Sequence, residues 1–498
     1  VVRKISILII AGVLLMNISK NAQAAETADT AAASTNNKNC PYSTRGRKKS
    51  QSPLSINICT SKLCGLVYFV ETIAGRPHTT DELRKWYLAQ RGGDAKLDTE
   101  ICDKYSKFLN DAANKYDAPD STGRQMTLSQ RIACMTLDCQ TLDELLGKLK
   151  PILPAEDLAL VTEAYKHFEP IYVSLIWKPR EKRLMQQLED FREGVERVEL
   201  IVRLDQVRKF LRSKWPENTP FDTIIIPVPD EPRSSHADSV GKTEIVELTA
   251  EHTFADQSDT LFHELCHSLW GRANQKKIQK DFEKFDDAIA YLELNEALAT
   301  ALGQGWFRHV TYPNEASSEV WYGRDITEKY GRGLYPLVGD YLRDGRCFDA
   351  SFAKKATQIF AEKCPQEGKE VCNTYAVHIT SEHAADYRKL QDAMFAAMPN
   401  IRSTDWEGLS TVNFARKVKS QSGNARRIVL LSPEAISSLT AHGLTERQAM
   451  LLKQRASDCI SITVNGSDII FCIGRDVEAQ TELFLKLLKG NYPNPVAW

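Results

Sequence analysis

The chain has 498 residues, 42% of them hydrophobic and 26% charged, enough apolar material for two or three domains with cores of their own. Its 64 basic and 65 acidic side chains nearly cancel, so no strong field marks nucleic acid as a partner. Beyond residue 24 no apolar run approaches the length of a membrane span, which excludes a polytopic membrane protein and argues against stable membrane insertion.

The opening stretch VVRKISILIIAGVLLMNISKNAQAAE is basic at its start, mostly apolar from Ile5 to Ile18, and small-sided at Ala22-Gln23-Ala24. That order is the pattern of a secretory signal peptide over residues 1–24, cleaved after Ala24, and it predicts an exported protein, periplasmic or secreted. Residues 25–55 are small, polar and finally basic, the composition of a disordered linker. Residues 56–150 carry helical periodicity, as in TTDELRKWYLAQ and QTLDELLGKLKPIL, and predict a helical N-terminal region.

Residues 151–400 mix the two periodicities. FDTIIIPVPD (221–230) and GKTEIVELTA (241–250) are short β-rich runs bounded by Pro, Gly and Asp, and read as strands of a small sheet. DTLFHELCHSLW (259–270) follows them. On a helix, His263 and His267 lie one turn apart on one face, where two imidazoles can share a single ion. Phe262, Leu265, Cys266 and Leu269 fall on another side, which would press into a core. Glu264 is too near His263 along the chain to complete a relaxed ligand set, but is placed to take a proton from a water at the metal. His236 and His252 have mostly polar neighbours and are expected at the surface.

A catalytic zinc site takes three protein ligands and leaves one position open. AIAYLELNEALATALGQGW (288–306) reads as a second buried helix through Ile289, Leu292, Ala299 and Leu302, ended by Gly303 and Gly305. A carboxylate in so apolar a helix is costly to bury unless it is paired or bound to a cation. Glu296, deep in the run, is the expected third ligand, and Glu293, one turn earlier, its competitor. WYGRDITEKYGRGLYPLVGDYL (321–342) follows, and Tyr322, Tyr330, Tyr335 or His309 could donate to an oxyanion. No spacing rule chooses among them.

His263-Glu264-Leu265-Cys266-His267 followed by Asn295-Glu296-Ala297 resembles the gluzincin group of zinc metallopeptidases, whose third ligand is a glutamate on a second helix. The resemblance covers about forty residues. It implies Zn²⁺ held by His263, His267 and Glu296, Glu264 as general base, and an edge strand that pairs with an extended peptide. Two features depart from the pattern: the charged segment GRANQKKIQKDFEKFDD lengthens the interval between the two helices, and Thr300 stands where thermolysin-like chains place an aspartate behind a histidine. The metzincin pattern does not fit, because Trp270 and Ala273 occupy the places of its glycine and third histidine.

Residues 401–498 predict a C-terminal α+β domain: a strand at RRIVLLSP, helices over PEAISSLTAHGLTERQAMLLKQRA, a hairpin and a closing helix at TELFLKLLKG. CISITVNGSDIIFC places Cys459 and Cys472 on opposite strands around an Asn465-Gly466 turn and predicts a cross-strand disulfide. Cys134 with Cys139, Cys59 with Cys64, and two of Cys347, Cys364 and Cys372 are further candidate pairs, whereas Cys266 is expected as a free buried thiol.

The expected fold is thus α+β: a mainly helical zincin-like catalytic domain with a small sheet over 151–400, plus the C-terminal domain. The expected function is that of an exported zinc-dependent peptidase acting on a peptide or protein substrate. The alternatives are a catalytically inactive zincin-fold envelope binding protein and a zinc amidase acting on cell-wall linkages.

Overall fold

The computed structural model describes residues 53–488 except 76–80, 93–94, 113–114, 120–124, 217–218, 231–236, 286–287, 315–319, 366–374, 380–403, 409–425, 443, 456–457 and 465–466. The expected signal peptide over 1–24, nearly all of the expected linker over 25–55, His236 and the Asn465-Gly466 turn lie outside the described residues. The protein is α+β, mainly helical with small sheets, and divides into two units, one ending at Cys364 and the other beginning at Pro365.

The first unit opens with strand β1 (Ile56–Thr60), followed by α1 (Lys62–Ile73), α2 (Asp81–Arg91) and α3 (Ala95–Asp111). A two-stranded ribbon, β2 (Ala118–Pro119) with β3 (Gln125–Met126), precedes α4 (Leu128–Met135), α5 (Leu142–Leu149) and α6 (Ala155–Tyr172). A π-helical turn, Val173–Trp177, carries α6 into α7 (Lys178–Arg197), and α8 (Leu200–Leu211) follows. The early helices are joined by a polar node. Buried Asp98 accepts from the Tyr87 hydroxyl at 2.6 Å and from Arg91 Nε at 2.7 Å, and faces His167 Nε2 at 2.7 Å. Three partners offset the desolvation of one carboxylate.

Strands β4 (Phe221–Pro227), β5 (Ala237–Val240) and β6 (Thr243–Leu248) join β1 in a four-stranded sheet of order β1-β4-β6-β5. β4 pairs in parallel with β1 and β6, and β5 lies antiparallel at the edge. All seven residues of β4 are buried, as expected for a strand with both faces covered. The region over 56–150 is mainly helical, as expected, and the pairing of Ile56 with Phe221 joins it to the same unit as the site. Its one strand completes a sheet whose other members lie far along the chain.

The sheet also buries Glu247, on β6, with 6% of its surface exposed. Burial, reinforced by the Asp238 carboxylate, pushes its carboxyl from an ordinary 4.5 up to about 8. Because the folded chain holds this proton more tightly than the unfolded chain, the associated stability is full below about 4.5 and is lost as pH rises through about 8. Glu247→Gln, which stays neutral, should therefore narrow the difference in melting temperature between pH 5 and pH 9. Equal pH dependence of the two proteins would show that Glu247 ionises without cost.

Helix α9 (Phe254–Trp270) follows β6, and its start is fixed twice. Asp256 accepts from the Thr253 backbone N–H at 2.9 Å and hydroxyl at 2.7 Å, and Asp190 of α7 accepts from the Phe254 N–H at 2.7 Å. These bonds satisfy donors that a helix start leaves open. Leu261, Phe262, Leu265, Cys266 and Leu269 are buried along its length. Near its end, Ser268 donates to Glu244 of β6 at 2.7 Å and lies 3.0 Å from Ser239 of β5, tying the helix to the sheet edge.

After α10 (Gln275–Glu283), α11 (Ala288–Thr300) passes into a π-helical segment, Ala301–Phe307, and then α12 (Arg308–Thr311). Gly303 and Gly305 thus do not end the helix. They serve close packing instead: a Cβ at Gly303 would lie 2.8 Å from the Asp259 carbonyl oxygen of α9, and one at Gly305 would lie 2.9 Å from the Tyr335 ring. Two further helices, α13 (Asp325–Arg343) and α14 (Ala350–Lys363), complete the unit.

The second unit holds a five-stranded sheet of order β10-β11-β9-β7-β8. Its strands are β7 (Tyr375–Ile379), β8 (Thr404–Gly408), β9 (Arg426–Leu431), β10 (Cys459–Val464) and β11 (Ser467–Ile473). Only β10 runs antiparallel to its neighbour; the other pairings are parallel. Helices α15 (Glu446–Gln454) and α16 (Val477–Leu488) belong to it, and its core gathers Val429, Leu431, Leu452, Ile462, Ile469 and Phe471. The C-terminal unit therefore begins near 365 rather than at 401, because β7 pairs with β9.

Cys459 and Cys472 face each other in register, with their sulfurs 3.0 Å apart as two thiols. Cys59, Cys64, Cys134, Cys139, Cys347 and Cys364 are also free thiols, and Cys372 lies outside the described residues. None of the expected disulfides is present among the described residues. Cys266 is free and buried, as expected. No helix of the described residues is long and apolar enough to cross a membrane.

Candidate metal centre

His263 and His267 project from α9, and Glu296 from α11. The two Nε2 atoms are 3.0 Å apart; Glu296 Oε2 lies 3.6 Å from His263 Nε2, and Oε1 lies 3.4 Å from His267 Nε2. Among the described residues this is the group of His, Cys, Asp and Glu side chains that can surround one ion. Ligands about 2.0–2.1 Å from a tetrahedral zinc stand roughly 3.3 Å from one another. The three separations bracket that value.

Each imidazole is oriented from behind. His263 Nδ1 lies 3.1 Å from Gln304 Oε1, and His267 Nδ1 lies 3.1 Å from Asn295 Oδ1. An amide oxygen can only accept, so each Nδ1 carries a proton and each Nε2 is the ring atom turned toward Glu296, the one that would bind a metal once it is unprotonated. These two partners were not found by sequence reasoning. Asn295 is adjacent to Glu296, but Gln304 reaches His263 from the π-helical segment, one turn beyond Thr300. Thr300 itself is fully buried, close to where a Cβ on Gly331 of α13 would lie. Gly303 allows the approach, since a Cβ there would also lie 3.0 Å from His263 Cβ.

The electrostatics suit a cation. Burial alone would raise the Glu296 carboxyl, but the charge of His267 and hydrogen bonds with both imidazoles hold it well below the usual carboxylate range. The same carboxylate lifts His267 to about 9 against the opposing effect of burial. For His263 burial wins and lowers the imidazole. Burial raises Glu264 well above its ordinary value, although His267 opposes the shift. Glu293, the carboxylate competitor, is not in the group that could surround one ion; it receives Arg324 Nη1 at 2.5 Å and Nη2 at 3.3 Å.

Of the four candidate oxyanion donors, one reaches the triad. The Tyr322 hydroxyl donates to Glu296 Oε2 at 3.0 Å, and its ring lies parallel to His263, with centroids 5.8 Å apart. Tyr330 is buried against Phe360, and Tyr335 packs edge-on to His309 and Trp321. His252 accepts from the Thr249 N–H and is half-buried, apart from the triad. Compared with family models, with curated proteins and with solved structures, the chain matches none.

Proposed function

We propose that this protein is an exported zinc-dependent peptidase of the gluzincin kind, with a zincin-like first unit. The observation that carries the reading is the convergence of His263, His267 and Glu296 within 3.0–3.6 Å, from two helices, with Glu264 in the intervening turn of α9. His263 Nε2, His267 Nε2 and a Glu296 oxygen would hold Zn²⁺. Zinc held there supplies a Lewis acid and makes water a competent nucleophile near neutral pH.

Glu264 takes a proton from the attacking water and returns it to the leaving amine. Tyr322, whose hydroxyl already touches the triad, transfers its hydrogen bond to the carbonyl oxygen as negative charge develops there. Gln304 and Asn295 keep both imidazoles in one tautomer and orientation. β5 is the last strand of its sheet, the position at which an extended peptide would add in the expected mode of recognition, and on that ground the substrate class is peptide or protein.

The test is metal analysis of the purified protein together with turnover of a quenched fluorescent peptide library. One zinc per chain is expected, with turnover lost on chelation and restored by zinc. A protein without metal and without turnover at any pH would overturn the reading. Turnover confined to peptidoglycan fragments would replace peptides with cell-wall amides as the substrate class.

A further inference from the structure

Two carboxylates near the centre have no part in the proposed chemistry, yet both hold the segment that carries Tyr322. Glu293, 3% exposed, receives both terminal nitrogens of Arg324, 7% exposed. A buried pair of this kind is a weak stabiliser, because desolvation of two charges offsets most of their attraction. What it does supply is geometry: a forked contact fixes the guanidinium in two directions. Glu328, in the first turn of α13, grips the segment on the other side. Its Oε2 accepts from the backbone N–H of Trp321 at 2.8 Å and of Tyr322 at 2.5 Å. Its Oε1 accepts from Arg332 Nε at 2.5 Å, and the Arg332 guanidinium lies over the Trp321 ring, 4.4 Å from its centroid.

Resting on the peptidase reading, we propose that Glu293, through Arg324, and Glu328 are positioning residues: they fix the segment Trp321–Arg324 so that the Tyr322 hydroxyl stays at the metal centre. Tyr322 sits between the two anchors, outside any helix or strand. Without them its hydroxyl would share the freedom of a connecting loop, and a displacement of about 1 Å is enough to lose most of an oriented contact.

The experiment uses Co²⁺ in place of zinc, followed by its visible absorption, with acetohydroxamate as the probe, an oxygen ligand whose carbonyl can accept from Tyr322. Four variants are compared with the unaltered chain: Tyr322→Phe; Glu293→Met with Arg324→Met, which removes both charges so that neither is stranded; those three changes together; and Glu328→Ala. All are expected to bind one Co²⁺. Tyr322→Phe should weaken acetohydroxamate roughly tenfold, the worth of one hydrogen bond. The paired change should cost a similar factor, and adding Tyr322→Phe to it should cost nothing more. Unaltered acetohydroxamate affinity in the paired variant, or losses that multiply in the triple variant, would overturn the assignment.

If the paired variant does not fold, Glu328→Ala, alone and combined with Tyr322→Phe as a fifth variant, decides by the same comparison, because it leaves the buried pair intact. Failure of the unaltered chain to bind Co²⁺ would remove the metal centre and this assignment with it. Normal Co²⁺ binding without the predicted coupling would remove only the positioning roles.

Discussion

Glu264→Gln is expected to lower peptide turnover by about 10²–10⁴-fold while leaving one zinc bound. The substitution keeps the size and planarity of the side chain and removes its capacity to take a proton. Glu264 stands between two ligands along α9, yet it adds nothing to the ligand set, so metal content separates its role from theirs. Stability should change little or rise, since burial disfavours the Glu264 carboxylate in the folded chain and an amide escapes that penalty. The measurement is kcat for a library-derived peptide alongside zinc per chain. Zinc bound normally, with turnover equal to the unaltered protein, would remove Glu264 as the base and leave the metal centre standing.

The parts of this site written in short-range spacing were legible in the sequence. His263 and His267 share a helical face through their separation of four, and the buried residues of α9 follow the same period. The third member of the group that could hold an ion was legible only as a choice. Glu293 and Glu296 are three residues apart on one helix, a spacing at which periodicity treats both alike. What separates them is Arg324, which arrives from another segment to claim Glu293. Gln304 was hidden for a related reason: glycines at 303 and 305 carry the signature of a helix end, but they also permit close helix approach, and only the neighbour decides which.

Long-range strand pairing misled the domain boundaries in the same way. β1 pairs with β4 across 165 residues, and β7 joins β9 in parallel; neither partnership leaves a local trace such as a hairpin turn. By contrast, the Cys459–Cys472 register was readable because the strands are consecutive and antiparallel. The other cysteine pairs rested on proximity along the chain, which says little about proximity in space. Cys134, for example, turns toward Met126 and the carbonyl of Val240 instead of Cys139.

The choice between the two glutamates also yields a decisive thermodynamic contrast. A ligand that binds only the folded chain stabilises it by RT ln(1 + [L]/Kd), about 2.7 kcal/mol when free zinc is 100 times its Kd. Zinc should therefore raise the melting temperature of the metal-stripped protein. Glu296→Ala should abolish that rise, because two imidazoles alone make an incomplete site for zinc. It also removes the carboxylate that raises His267, so proton competition at that imidazole falls, and a lost zinc response then reports the missing carboxylate and not a protonated histidine. Glu293→Gln should keep the full zinc-dependent rise, since the amide oxygen still accepts from Arg324 and the ligand set is untouched. The opposite pattern, with the zinc response surviving in Glu296→Ala and vanishing in Glu293→Gln, would transfer the third ligand to Glu293 and require α11 to turn relative to α9. A zinc response retained in both variants would place the ion elsewhere in the molecule.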